Sequence, residues 1–171
     1  MVSDAEALSA VYDVRCIDFD RSILDQLEAG DDVILVDWEL ESPDPRGVLD
    51  ALSQSAPSTP ILAVASDVPT DDPIDRGADE YLVTPVSAEK LRSTIDRLVL
   101  QHAYEEAMSE YFRLATERAL LENEREAGVD VEERYEQVVA DLREWRERAD
   151  SVRAEFSREG FDRALRRLLG E

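Results

Sequence analysis

Three short apolar runs punctuate residues 30–90. Val33-Ile34-Leu35-Val36 ends in Asp37, Ile61-Leu62-Ala63-Val64-Ala65 ends in Ser66, and Tyr81-Leu82-Val83 ends in Thr84-Pro85. Short apolar runs without polar alternation predict strands buried on both faces, the environment of a parallel sheet. Helical spacing fills the gaps between them. Ser22 to Ala29 carries Ile23, Leu24 and Leu27 and stops at Gly30, and a second helix is predicted from Val48 to about Ser53. Asp67 to Asp75 is acidic and broken by prolines, which predicts a short or poorly formed helix. Ahead of these, Ala5 to Ala10 is compatible with a short helix, and Val11 to Ile17 alternates as a strand would.

Strands alternating with helices imply a parallel sheet with right-handed crossovers. The three strand ends at Asp37, Ser66 and Thr84-Pro85 then meet at one edge, where open α/β sheets place their ligands. Taken alone, Asp37 is equally a carboxylate that caps the loop after its strand. Convergence with Ser66 and Thr84 favours the chemical role.

The pattern then changes period. Ser87 is the expected N-cap of a helix that continues past Leu100, with Leu100, Tyr104, Ala107, Tyr111, Leu114 and Leu121 spaced by threes and fours around Arg118. Ala127-Gly128 breaks it. Tyr135, Val138, Leu142, Trp145, Ala149, Val152 and Phe156 then form a two-position heptad seam of coiled-coil type, interrupted at Gly160 before Phe161, Ala164, Leu165 and Leu168-Leu169. Two amphipathic helices around a short glycine-containing break predict an antiparallel hairpin. Their apolar stripes either pack on each other and on the first domain or offer a surface for a homodimer. The expected division is residues 1–100 and 101–171.

Composition narrows the setting. The net charge is −22, and 18 of the 19 basic residues are arginine, Lys90 being the exception. Such an acidic, lysine-poor chain is similar to halophilic proteins, in which salt screens repulsion between surface charges. No basic face is visible, so DNA binding is not expected. The single cysteine, Cys16, cannot form a disulfide within the chain and is expected to be a small buried hydrophobe. No run reaches transmembrane length and no secretory leader is evident, so a cytoplasmic protein without membrane contact is expected.

The order of these motifs resembles the receiver domain of two-component response regulators over roughly residues 5–100. Gly77-Ala78-Asp79-Glu80-Tyr81-Leu82-Val83-Thr84-Pro85 fits that family's Gly-Ala-Asp-x-Tyr-Leu-x-Lys-Pro motif except at Thr84. The resemblance implies a flavodoxin-like α/β fold, with Asp37 as phosphoacceptor and Ser66 and Tyr81 as switch residues. It further implies a cis-proline at Pro85, a histidine kinase or other signalling protein as partner, and Mg²⁺ held partly by Asp37. Thr84 replaces the lysine whose charge binds the phosphoryl group and couples it to the switch. The family's first strand also ends in an acidic pair that helps hold Mg²⁺, whereas only about ten residues precede Val11 here and they have the pattern of the following helix. The sheet is therefore expected to lack that strand, unless translation starts upstream of Met1. Without the acidic pair and the lysine, phosphorylation of Asp37 and Mg²⁺ binding are expected to be impaired, as in a pseudo-receiver.

Tyr111-Phe112-Arg113-Leu114-Ala115 and Arg118-Ala119-Leu120-Leu121-Glu122 are similar to the HalX domain, which follows receivers in haloarchaeal proteins, over roughly residues 103–165. Together the two resemblances imply a non-enzymatic phosphorelay protein that acts through protein–protein contacts. One alternative is a structural dimerisation module without phosphotransfer. Another is a haloacid-dehalogenase-like phosphatase, which needs an aspartate two residues after its nucleophile and a lysine; Glu39 and Thr84 stand in those places.

Overall fold

The computed structural model describes residues 8–17, 26–27, 30–39, 45–55 and 59–169, the side chains of 45–46 and 157–169 excepted. The chain forms two compact units, Met1–Val99 and Leu100–Glu171.

In the first unit, β1 (Ile34–Asp37), β2 (Ile61–Ala65) and β3 (Glu80–Val83) form a parallel sheet in the order β1-β2-β3. Ile34 pairs with Ile61 and Asp37 with Val64, while Leu62 pairs with Glu80 and Ala65 with Val83. Every residue of β2 is buried, which is why this strand carries no polar position at all. Helix α1 (Pro45–Ser55) begins on a proline, a residue suited to the first helical turn, and covers one face through Val48, Leu49 and Leu52. These pack with Val36, Ile61, Ala63 and Ala78, and with the half-buried Trp38 and Tyr81. Helix α2 (Ala88–Glu126) covers the other face with Leu91, Ile95 and Leu98, against Leu62 and Leu82. Its N-terminus is capped as expected, Ser87 Oγ accepting a bond from the Lys90 amide at 3.1 Å.

Between β2 and β3 the acidic, proline-rich stretch yields only a 3₁₀ turn, Ile74–Arg76. Gly77 closes it at φ +99°, with its amide bonded to the Ile74 carbonyl. Asp79 then ties the start of β2 to the approach of β3. Its Oδ2 accepts from the Ile61 amide at 2.7 Å, and its own amide donates to the Ile61 carbonyl at 2.9 Å.

Two local expectations are corrected, and a third is not reached. Val11 to Ile17 is not a strand: it has no ladder partner among the described residues. Its alternation reflects side-chain packing instead, with Tyr12 and Val14 on the α2-side core and the Tyr12 hydroxyl donating to Asp96 at 2.6 Å. Cys16 is exposed rather than buried, because the alternation lapses after Val14. The helix predicted for Ser22 to Ala29 lies almost wholly outside the described residues.

In the second unit, Gly128 (φ +84°) ends α2, and helix α3 (Glu132–Leu169) runs back antiparallel to it. Leu114 and Leu121 pack against Val138 and Leu142, flanked by Tyr111, Tyr135 and Trp145. Arg134 donates to Glu117 at 2.8 Å and Arg148 to Glu106 at 2.9 Å, pairings that run in opposite directions along the two helices. Helix α3 runs through Gly160 to Leu169. One interior glycine costs a helix only about 1 kcal/mol relative to alanine.

Candidate functional site

The C-terminal edge of the sheet is assembled from three strand ends. Asp37 is the last residue of β1 and is half-buried. Its Oδ1 accepts a bond from the Glu39 amide at 3.1 Å, the two-residue turn that aspartate side chains favour. The intervening Trp38 amide donates to the Val64 carbonyl at 2.8 Å, so pairing with β2 persists one residue beyond the strand.

Continuing the Asp37–Val64 register by two residues sets Glu39 level with Ser66. Glu39 Oε1 accepts both the Ser66 amide at 2.5 Å and the Ser66 hydroxyl at 2.7 Å. Two donors on one carboxylate oxygen stabilise the charged form. The Glu39 carboxyl is therefore held below its ordinary value, first by the Ser66 amide and then by its hydroxyl. Among the described residues, no arginine or lysine pairs with Asp37 or Glu39; Arg15, Arg76 and Arg97 pair with Asp31, Asp71 and Glu80.

The third strand end brings the Thr84 amide onto the Ala65 carbonyl at 2.8 Å, and the Thr84–Pro85 peptide bond is cis. Thr84 offers a hydroxyl at this position and no charge. Tyr81 lies opposite Ala63 and packs half-buried in the α1-side core, away from the alternation that Asp37 shares with Val33 and Leu35. The sheet thus gathers Asp37, Glu39, Ser66 and Thr84 at one edge, while Tyr81 belongs to the layer beneath α1. The Glu39–Ser66 contact was not foreseen from the sequence. Its signal is visible only once the register is known.

Mg²⁺ is a hard cation that takes an octahedral oxygen shell, with one or two carboxylates fixed by the protein. Asp37 and Glu39 are two carboxylates at this edge, and Glu39 is engaged by Ser66. Among the described residues no group of three or more acidic, histidine or cysteine side chains converges. The described residues alone do not assemble the donor set expected of an Mg²⁺ site. No described helix is long and apolar enough to cross a membrane.

The first unit has the fold of receiver domains. It is similar to the signal receiver domain of a "putative Luxo repressor protein" from Vibrio parahaemolyticus, with a TM-score of 0.53 and 19% identity over 61% of this chain and 85% of that one. The chemotaxis protein CheY4 from Vibrio cholerae aligns with a TM-score of 0.50 and 24% identity, over 57% of this chain and 87% of that one. Residues 100–168 match the HalX domain, so a receiver-like fold is followed by HalX in a single chain. A Haloferax volcanii protein named "Putative transcriptional regulator" is 29% identical over 133 residues, or 77% of this chain. The chain spans only 22% of that relative's length.

Proposed function

We propose that this chain is a response-regulator-like signalling protein in a phosphorelay, acting through protein–protein contacts, with Asp37 as a phosphoacceptor of impaired reactivity. Asp37 would take a phosphoryl group from a histidine-kinase donor or a small acyl phosphate. A bond forms between an Asp37 oxygen and phosphorus, the bond from phosphorus to the donor breaks, and the leaving group keeps the electron pair. Catalysis of such a transfer consists largely of positioning and charge neutralisation. The observation that carries the reading is the strand-end edge itself: a carboxylate, a hydroxyl and the Thr84 turn in register, with no cation paired to them among the described residues.

Impaired transfer follows from that missing charge. Near a protein surface, one cation at about 4 Å from an anion is worth up to about 4 kcal/mol before desolvation and screening. Thr84 cannot supply it. Signalling then relies on the surface the fold presents and on the HalX hairpin, with the protein acting as a regulator rather than an enzyme. The H. volcanii relative's name supports a role in gene regulation, and the receiver fold supports a kinase or another signalling protein as partner.

The test is incubation with acetyl phosphate and Mg²⁺, read by intact mass, with Asp37→Asn as control. Slow, substoichiometric incorporation that the control abolishes supports the proposal. Catalytic release of phosphate from varied esters would overturn it in favour of an enzyme.

A further inference from the structure

Ser66 offers two donors at the end of β2, and both already have an acceptor. Glu39 Oε1 takes the amide at 2.5 Å and the hydroxyl at 2.7 Å, both bonds assisted by the carboxylate charge. The acceptor is held in place from its own side as well. Asp37 Oδ1 fixes the Glu39 amide, and the Trp38–Val64 bond fixes the residue between them. The clamp is thus a consequence of strand register rather than of a loose side chain finding a chance partner.

We propose that Glu39 is an internal competitor at the anion position beside Asp37, holding the Ser66 donors that an arriving phosphoryl oxygen would need. The inference rests on the reading of Asp37 as acceptor. A phosphoryl group on Asp37 brings negative charge to an edge where Glu39 is ionised, and like charges at one site disfavour each other. The phosphoryl oxygens reach Ser66 only if the Glu39 carboxylate swings away. Glu39 also ties β1 to β2 through an anion when no phosphate is present. It is a positioning residue: it sets the state of Ser66 and does not touch the transferred group.

Two readouts on the full chain separate the clamp from the acceptor chemistry. The ¹⁵N-labelled protein is prepared as wild type, Glu39→Gln and Glu39→Ala, and the Ser66 amide resonance is recorded with no phosphodonor. Each protein, with and without Asp37→Asn, is then treated with acetyl phosphate and Mg²⁺ and weighed. The Ser66 amide is expected to move upfield in both variants as its short bond to a carboxylate is lost. Asp37-dependent incorporation is expected to rise about fivefold or more in Glu39→Ala, the scale of one hydrogen bond. Glu39 is exposed, so these substitutions leave the core intact.

An unmoved Ser66 amide overturns the clamp. A moved amide with unchanged incorporation overturns the competition, and in both cases Asp37 stands as acceptor if Asp37→Asn removes the label. Label that survives Asp37→Asn, or a moved amide with no label in any variant, overturns the acceptor reading, and the competition falls with it.

Discussion

Gly77→Ala is expected to be the most damaging single-methyl change in the receiver-like unit. Gly77 holds φ at +99°, a region that costs an alanine about 1–2 kcal/mol. A Cβ built there lies 2.8 Å from Ser53 Cβ and 2.9 Å from Ser53 Oγ, well inside van der Waals contact, on the face of α1 that meets the 3₁₀ turn. Relieving such overlap by shifting backbone costs about 1–3 kcal/mol more. The reduced entropy of the unfolded alanine chain offsets about 0.4–1 kcal/mol. The net expectation is a loss of about 2–4 kcal/mol, a large part of a typical domain's stability. Urea unfolding at fixed salt measures it, followed by Trp38 fluorescence in a Trp145→Phe background so that the signal reports the first unit alone. Ser53→Gly removes both clashing atoms, so a double-mutant cycle should show about 1–3 kcal/mol of coupling while the backbone penalty remains. A loss below about 1 kcal/mol, or a cycle without coupling, would mean that neither the backbone at Gly77 nor Ser53 excludes a Cβ there.

Other outcomes follow from the same geometry. Asp79→Ala strips the Ile61 amide of its partner at the head of the buried strand, and should cost about 1–3 kcal/mol by the same fluorescence assay. In the hairpin, Leu114→Ala should cost about 2–5 kcal/mol by Trp145 fluorescence in a Trp38→Phe background, whereas Phe112→Ser, at a position 61% exposed, should change stability by about 0.5 kcal/mol or less. Glu39, held below its ordinary value of 4.5 by Ser66, stabilises the fold above that pH and loses the contribution as pH falls through the depressed value. The unfolding free energies of wild type and Glu39→Gln should therefore differ by several tenths to about 1 kcal/mol at pH 7, given Glu39's exposure, and converge below pH 4.5; a gap that widens on acidification contradicts the sign.

The sheet was legible because its three strands are short apolar runs that end in polar residues, and β2, buried along its whole length, is the clearest of them. The long helix past Leu100 and the break at Ala127-Gly128 were equally readable from spacing. Alternation misled at Val11 to Ile17, where Tyr12 and Val14 alternate to fill a helix-covered core rather than to join a ladder. At the site, Asp37, Ser66 and Thr84 could be placed at one edge from the alternation of strands and helices. The Glu39–Ser66 clamp could not, because it depends on the Asp37–Val64 register, which runs of four and five similar apolar residues do not specify.

On the proposed reading, this edge keeps a phosphoacceptor position and withholds the charge and the free donors that make it reactive. The direct measurement is Asp37-dependent phosphoryl incorporation, by intact mass after acetyl phosphate treatment, in wild type and in the Thr84→Lys/Glu39→Ala double variant. Wild type is expected to label slowly and substoichiometrically, and the double variant tenfold or more faster. Rapid stoichiometric labelling of wild type, or a double variant no more reactive than wild type, would contradict that reading.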